Sequence, residues 1–423
     1  MIKNFILFSL PKHLIYLIPV FLVTGPFLSD LAVTLISVIF IVILFKEKNF
    51  SIFNNKFYLI FFIFYFYLII NSLSQNQNYD SLRISFTYVR FGLFSLALMY
   101  FLSNDAKLIK KIFYSLLITF VILIFDGCLQ YFLGKNILGW NLKYPGPRVS
   151  SFFGDELILG SYIARMFPIL IGLMFFFNFS KDKKFLFYIL ILGSLFLILI
   201  SGERTAFFLT LLSFALMFFL IFENKKIIRN VILVAFTCCI VIIAFSDSIK
   251  ARIVDVTLEK MLASKNQQNK SYIISKQHHE HYVSGMRMFL NNPLSGVGVK
   301  NFRVFYSKKE YYISDYTCSP HPHNTYIQLL SETGIVGFII VLLCFIYLNM
   351  RLVFHYKECL NSKPVYKDYQ ICFLISFYLT LWPLVPSGNF FNNWLSIIYF
   401  YPLGIFLWSI NKQDKNINKS NKS

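Results

Sequence analysis

A histidine stands beside a helix-start signal in the run Pro322-His323-Asn324-Thr325, and Gly334 and Gly337 follow it. Thr325-x-x-Gln328 has the form of a capping box and an apolar stretch begins at once, so His323 lies just ahead of a helix N-terminus. The positive end of that helix disfavours imidazolium and favours the neutral ring, which is what a general base needs near neutral pH. The same helix end attracts anions, so a phosphorylated substrate could be held beside the base. Gly334 and Gly337 would let a neighbouring helix approach closely and fix the histidine in place.

Arginine supplies the other half of that chemistry. Arg204 sits in the tight turn Ser201-Gly202-Glu203-Arg204-Thr205 between two apolar runs, where its guanidinium could clamp a phosphate through paired N–H bonds. The plainer reading is an interfacial arginine paired with Glu203 or with lipid. Arg83 and Arg90, seven residues apart, would share a helix face and differ in depth by roughly 10 Å, a basic stripe descending from the surface. Arg148, Arg165, Arg252, Arg287 and Arg303 fall on the same side of the membrane as these, and clustered cations repel one another unless an anion sits among them. His278, His279, Glu280 and His281 lack the spacing of a metal site, no Asp-x-Asp is available for a divalent ion, and no Walker-type loop is present for nucleotide. No metal and no cofactor are expected. A diphosphate neutralised by arginines is a good leaving group, so one base and charge stabilisation suffice to transfer a group from a membrane-embedded diphosphate. Trp140, Tyr144, Tyr311, Tyr312 and Tyr316 could stack on sugar rings, although interfacial anchoring is the blander role.

The elements that must position these residues are membrane helices. The 423 residues are 57% hydrophobic and 19% aromatic, with 51 Phe, too apolar to clothe a soluble globule of this length. Apolar runs near the roughly 20 residues that cross a bilayer recur throughout. About twelve spans are expected, at 14–29, 31–46, 57–73, 82–102, 112–134, 158–178, 185–200, 205–222, 228–245, 325–350, 369–386 and 391–410. The N-terminal run reads as the first helix rather than a cleaved signal, because no small-x-small site follows it. Lys46, Lys48, Lys107, Lys110, Lys111, Lys181, Lys183, Lys184, Lys225, Lys226, Arg229, Arg351, Lys357 and the Lys-rich tail all fall on one side if both termini are cytoplasmic. The net charge of +20 is then mostly topology and contact with anionic lipid, not a nucleic-acid surface.

The fold expected is an all-α polytopic membrane protein: helices one to nine in residues 1–245, a large outer loop over 246–322, three more helices in 323–410, and a disordered cytoplasmic tail over 411–423. Short amphipathic helices are expected in the loop around Ile253–Leu262 and Tyr282–Leu290. Of the cysteines only Cys318 is clearly in an outer loop, so no disulfide framework holds that loop.

These residues resemble the O-antigen ligase and O-antigen polymerase superfamily of bacterial envelope glycan transferases. His323-Asn324, nine residues, then Gly334-Ile335-Val336-Gly337 fits the ligase pattern; Pro293-Leu294-Ser295-Gly296-Val297-Gly298-Val299-Lys300-Asn301-Phe302 is similar to the family's Pro-Leu-x-Gly-x-Gly-x-x-Asn-Phe run. Ser201-Gly202-Glu203-Arg204-Thr205-Ala206 and Arg148-Val149-Ser150-Ser151-Phe152-Phe153-Gly154 resemble two further segments, with Asp155-Glu156 replacing the usual residues after the second. The resemblance implies metal-independent, inverting glycan transfer at the periplasmic face of the bacterial inner membrane, within lipopolysaccharide biosynthesis. The donor would be an undecaprenyl-diphosphate-linked glycan, and in a ligase the acceptor would be a sugar of the lipid A core. His323 would be the base, Arg204 the diphosphate ligand and Arg287 a weaker carry-over; Arg83, Arg90 and Arg148 rest on the electrostatic argument. A polymerase joining two lipid-linked repeat units is the near alternative. A ligase acting on a protein, a lipid-linked glycan transporter and a non-catalytic scaffold are the more distant ones.

Overall fold

A computed structural model describes residues 5–48, 50–74, 79–143, 147–255, 276–314 and 318–420. Tyr144, Tyr316 and residues 256–262 of the expected Ile253–Leu262 helix lie outside the described residues. The chain is an all-α polytopic membrane protein. In chain order the helices are α1 (Phe5–Phe21), α2 (Pro26–Glu47), α3 (Lys56–Ser74), α4 (Tyr79–Asn104), α5 (Leu108–Leu133), α6 (Leu159–Phe176), α7 (Lys184–Ser201), α8 (Arg204–Leu220), α9 (Lys225–Phe245), α10 (Lys276–Asn291), α11 (Thr325–Leu360), α12 (Asp368–Thr380) and α13 (Asn393–Ser420). Among the described residues there is no strand, only two isolated bridges in the α5–α6 connection.

Twelve of these helices match the twelve expected spans, α10 being the loop helix. Nine of the twelve are long and apolar enough to cross a bilayer unaided. The other three, α1, α8 and α12, are shorter. The first helix starts earlier than expected and ends at Phe21, because Gly25 at φ 117 turns the chain and Pro26 opens α2. The expected 369–386 helix stops at Thr380, since Pro383 and Pro386 lack the N–H that would continue it. Residues 381–392 then run irregularly between helices, the arrangement tolerated at membrane depth only where protein or a cavity surrounds the backbone. The last helix, α13, runs to Ser420.

The helix α2 shows how the sequence divides core from lipid. Leu31, Leu35, Val38, Val42 and Phe45 form one exposed stripe, whereas Val33, Ile36, Phe40 and Ile43 on the opposite stripe are completely buried. Both faces are apolar, so the exposed one requires a hydrocarbon solvent. Around 89% of the apolar window is buried in α6 and in α13, against 22% in α9. With α12 and the second half of α4, α6 and α13 thus form the centre, and α9 lies outermost. The loop helix α10 packs on the start of α11, with Gly285 against Ile327.

Candidate active site

The cap at the start of α11 is Asn324. Its Oδ1 accepts from the amides of Tyr326 and Ile327 at 3.0 and 3.1 Å, satisfying two donors of the first turn. The expected Thr325–Gln328 box does not form: Gln328 bridges the Glu332 carboxylate and the Phe390 amide. The Asn324 side-chain amide also donates to the Pro383 carbonyl at 2.8 Å, and the His323 carbonyl accepts from the Ser387 amide at 2.9 Å. The irregular segment after α12 therefore holds the residue ahead of the helix. His323 has φ 55, and its Nε2 lies 3.1 Å from Ser319 Oγ.

Three more imidazoles surround it. Ring centroids of His321, His281 and His278 lie 4.2, 5.1 and 5.5 Å from that of His323. Burial first, and then these neighbouring rings, push His323 down to about 3; burial likewise pushes His321 down to about 4. A neutral imidazole at His323 is thus favoured mainly by burial and the neighbouring histidines rather than by the helix terminus. Among the described residues no group of three or more His, Cys, Asp or Glu is arranged to hold a metal ion.

The arginines gather around the turn between α7 and α8. Gly202 has φ 65, and a side chain there would lie 3.3 Å from the Cγ atoms of both Arg148 and Arg252. Arg148 Nε donates to the Ser201 carbonyl at 3.1 Å and Arg252 Nε to the Gly202 carbonyl at 3.3 Å. Burial lowers the pKa of Arg148, opposed by Glu203 and reinforced by Arg252 and Arg204. The partly buried Glu203 carboxylate caps α6, accepting from the Gly160 and Ser161 amides at 2.6 and 3.0 Å and from Ser161 Oγ at 2.7 Å. Among the described residues no ion pair joins Glu203 to Arg204.

His323 and these arginines face one cavity of about 1090 Å³. Its walls include His278, His321 and His323, together with Arg148, Arg165, Arg204, Arg252 and Arg303. Apolar walls adjoin them, among them Trp140, Phe153, Phe208 and Trp394. Five guanidinium groups beside imidazoles have the chemistry to receive a strongly anionic group next to a proton acceptor.

A break in α11 fixes the loop that leads to Arg303. Gly334, at φ 62 and ψ −166, interrupts the helix, and a Cβ on it would lie 2.3 Å from the Leu294 carbonyl oxygen. The opened Ser331 and Glu332 carbonyls accept from Val297 and Gly298, while Ile335 donates to the Pro293 carbonyl. The fully buried Glu332 carboxylate accepts from the Lys300 and Phe302 amides at 3.0 and 3.2 Å. So the Pro293–Phe302 run docks on the break in the helix whose start presents His323. Gly334 admits this loop rather than a neighbouring helix; Gly337 does meet one, with Tyr67 of α3 3.2 Å from its Cβ position.

Of the residues expected in the site, His323, Arg204 and Arg148 come together. Arg83 and Arg90 share a second cavity of about 380 Å³ with Lys300 and Arg303. Arg287 lines neither cavity; it is exposed on α10, its Nη1 3.4 Å from the Tyr312 carbonyl. Arg165, Arg252 and Arg303, which the sequence offers only as further outer cations, also line the cavity, whereas nothing in the sequence singles out His321 or Glu332, although both lie in or beside the His323 run.

No curated protein matches the chain. Residues 163–342, which carry Arg165, the Gly202 turn, the Gly296 loop and the start of α11, match the family model described as O-antigen ligase, so this part of the chain is similar to that family.

Proposed function

We propose that the chain transfers a glycan from an undecaprenyl-diphosphate donor to an acceptor sugar, with His323 as base and Arg204, Arg148 and Arg252 as the diphosphate clamp. The observation that carries this reading is the single cavity shared by His323 and five arginines. The acceptor hydroxyl attacks the anomeric carbon from the face opposite the diphosphate, and its proton passes to His323 Nε2. The new C–O bond forms as the bond to the diphosphate oxygen breaks, and the leaving oxygen carries away the electron pair, inverting the anomeric centre. Guanidinium groups neutralise the charge that develops on the leaving group, which requires no metal ion. The bound anion also removes positive potential from the cavity and so raises the base toward a useful pKa.

The test is transfer by purified, reconstituted protein from an undecaprenyl-diphosphate glycan to lipid A-core. Loss of a general base costs about 10²–10⁴-fold, and His323→Ala is expected to fall in that range. Arg204→Ala raises KM for the donor and lowers kcat. Undiminished transfer by a folded His323→Ala variant overturns the assignment of the base. A polymerase reading is favoured by one observation, the second cationic cavity, which offers a place for a second lipid-linked chain; elongation of the donor without modification of lipid A-core would establish it.

A further inference from the structure

The cavity that holds Arg83 and Arg90 is rich in cations. Among the described residues it is lined by the cations Arg83, Arg90, Lys300 and Arg303 and by the carboxylates Asp30 and Asp80. Those two carboxylates are engaged: Asp30 with Arg90 at 2.7 Å and Asp80 with Arg83 at 3.0 Å. Lys300 and Arg303 form no ion pair among the described residues, so the described lining, four cations against two carboxylates, is net positive. Burial first, then Arg303, Arg90 and Arg83, push Lys300 down to about 8, with Glu332 opposing.

Two features tie this cavity to the base. Arg303 belongs to the walls of both cavities. The loop carrying Lys300 and Arg303 is fastened by Glu332 to the helix that presents His323. From the start of α11 to Thr333 that helix rises ~12 Å at 1.5 Å per residue. A ligand in the second cavity is thus held at a fixed and short remove from the proton acceptor, as an acceptor must be for its hydroxyl to reach the donor carbon.

We propose that the second cavity binds a phosphate group carried by the acceptor, so that Arg83, Arg90, Lys300 and Arg303 select anionic acceptors. This rests on the transfer reading above. The phosphate belongs either to the acceptor glycan itself or to the lipid diphosphate of a second lipid-linked glycan, and the two sources share the chemistry that the cavity recognises.

Calorimetric titration of the full-length protein in nanodiscs tests this with three ligands: a phosphorylated core oligosaccharide, the same oligosaccharide after phosphatase treatment, and an undecaprenyl-diphosphate glycan. At least one phosphate-bearing ligand is expected to occupy a site that is weakened tenfold or more by Lys300→Gln with Arg83→Gln and by less than twofold by Arg204→Gln. If the phosphorylated oligosaccharide fills it and phosphatase treatment abolishes binding, the phosphate is the glycan's. If a second equivalent of the undecaprenyl-diphosphate glycan fills it, the phosphate is the lipid's. Lys300→Arg with Arg83→Lys, which keeps both charges, restores binding and separates charge loss from misfolding. The proposal is overturned if phosphate removal changes nothing and only one equivalent of lipid binds, or if Arg204→Gln weakens the site as much as the double variant. Donor binding insensitive to Arg204→Gln would instead overturn the donor clamp and leave the second cavity to stand on its own variants.

Discussion

Burial of His323 among three imidazoles sets the sign of its pH behaviour. In the folded protein it titrates at about 3 and His321 at about 4, both below the ordinary 6.5. Between those values and 6.5 the unfolded chain binds more protons, so stability falls as pH drops from 6.5 and is independent of these groups above it. Thermal unfolding of the purified protein should therefore show Tm declining from pH 6.5 toward 4, and His323→Asn should flatten that decline; an unchanged slope refutes the depressed value. Kinetics give a second check. Because kcat/KM reports the free enzyme and kcat the complex, kcat/KM should stay level from pH 7 to 5. The acid limb of kcat should lie higher in pH, since the bound diphosphate raises the imidazole. Coincident limbs near 6.5 would show that neither burial nor the anion acts on the base.

At the scale of elements, the glycine at the break in α11 carries the argument. Alanine at Gly334 would need φ 62 and would drive its Cβ to 2.3 Å from the Leu294 carbonyl oxygen, so helix and loop cannot both keep their positions. Strain of this kind costs on the order of 1–3 kcal/mol before the clash is counted. Hydrogen exchange should then accelerate at the Val297 and Gly298 amides, which donate across the break, while α6 stays protected; equal protection at all of them would refute the docking. This element also shows what the sequence makes legible. The apolar runs and their cations announce the helices, and His323-Asn324 marks the start of α11, because both signals are local. The second glycine of the pattern could be recognised, but its reason could not: Gly334 serves a loop about forty residues upstream in the chain, and only the fold brings Leu294 against it. For the same reason Arg83 and Arg90 are legible as a stripe but not as the wall of a separate cavity, and Arg252, nearly fifty residues beyond Arg204, carries no local sign that it joins it.

Across the whole molecule, connections alternate in chemistry. Those after α1, α5, α7, α9 and α12 line the cavity of His323, and the start of α4 lines its neighbour. The intervening connections hold Lys46 and Lys48, Lys107 with Lys110 and Lys111, Lys181 with Lys183 and Lys184, Lys225 with Lys226, and Lys363 with Lys367. Twelve crossings satisfy this alternation even though α1, α8 and α12 are short, because an odd number of missing crossings would put a lysine cluster beside the arginine cavity. Lysine-rich short connections remain on the cytoplasmic side, so the cavity should face the opposite compartment. Cys318 provides a native reporter: it is exposed, and it lies in the segment that leads into His323. In spheroplasts a membrane-impermeant maleimide should label the wild type and not Cys318→Ser. A cysteine introduced by Ser420→Cys into the Cys318→Ser background should react only after lysis. Labelling of Ser420→Cys in intact spheroplasts, with Cys318 protected until lysis, would invert the topology and move the proposed transfer to the cytoplasmic face, where an acceptor on the outer leaflet could not reach it.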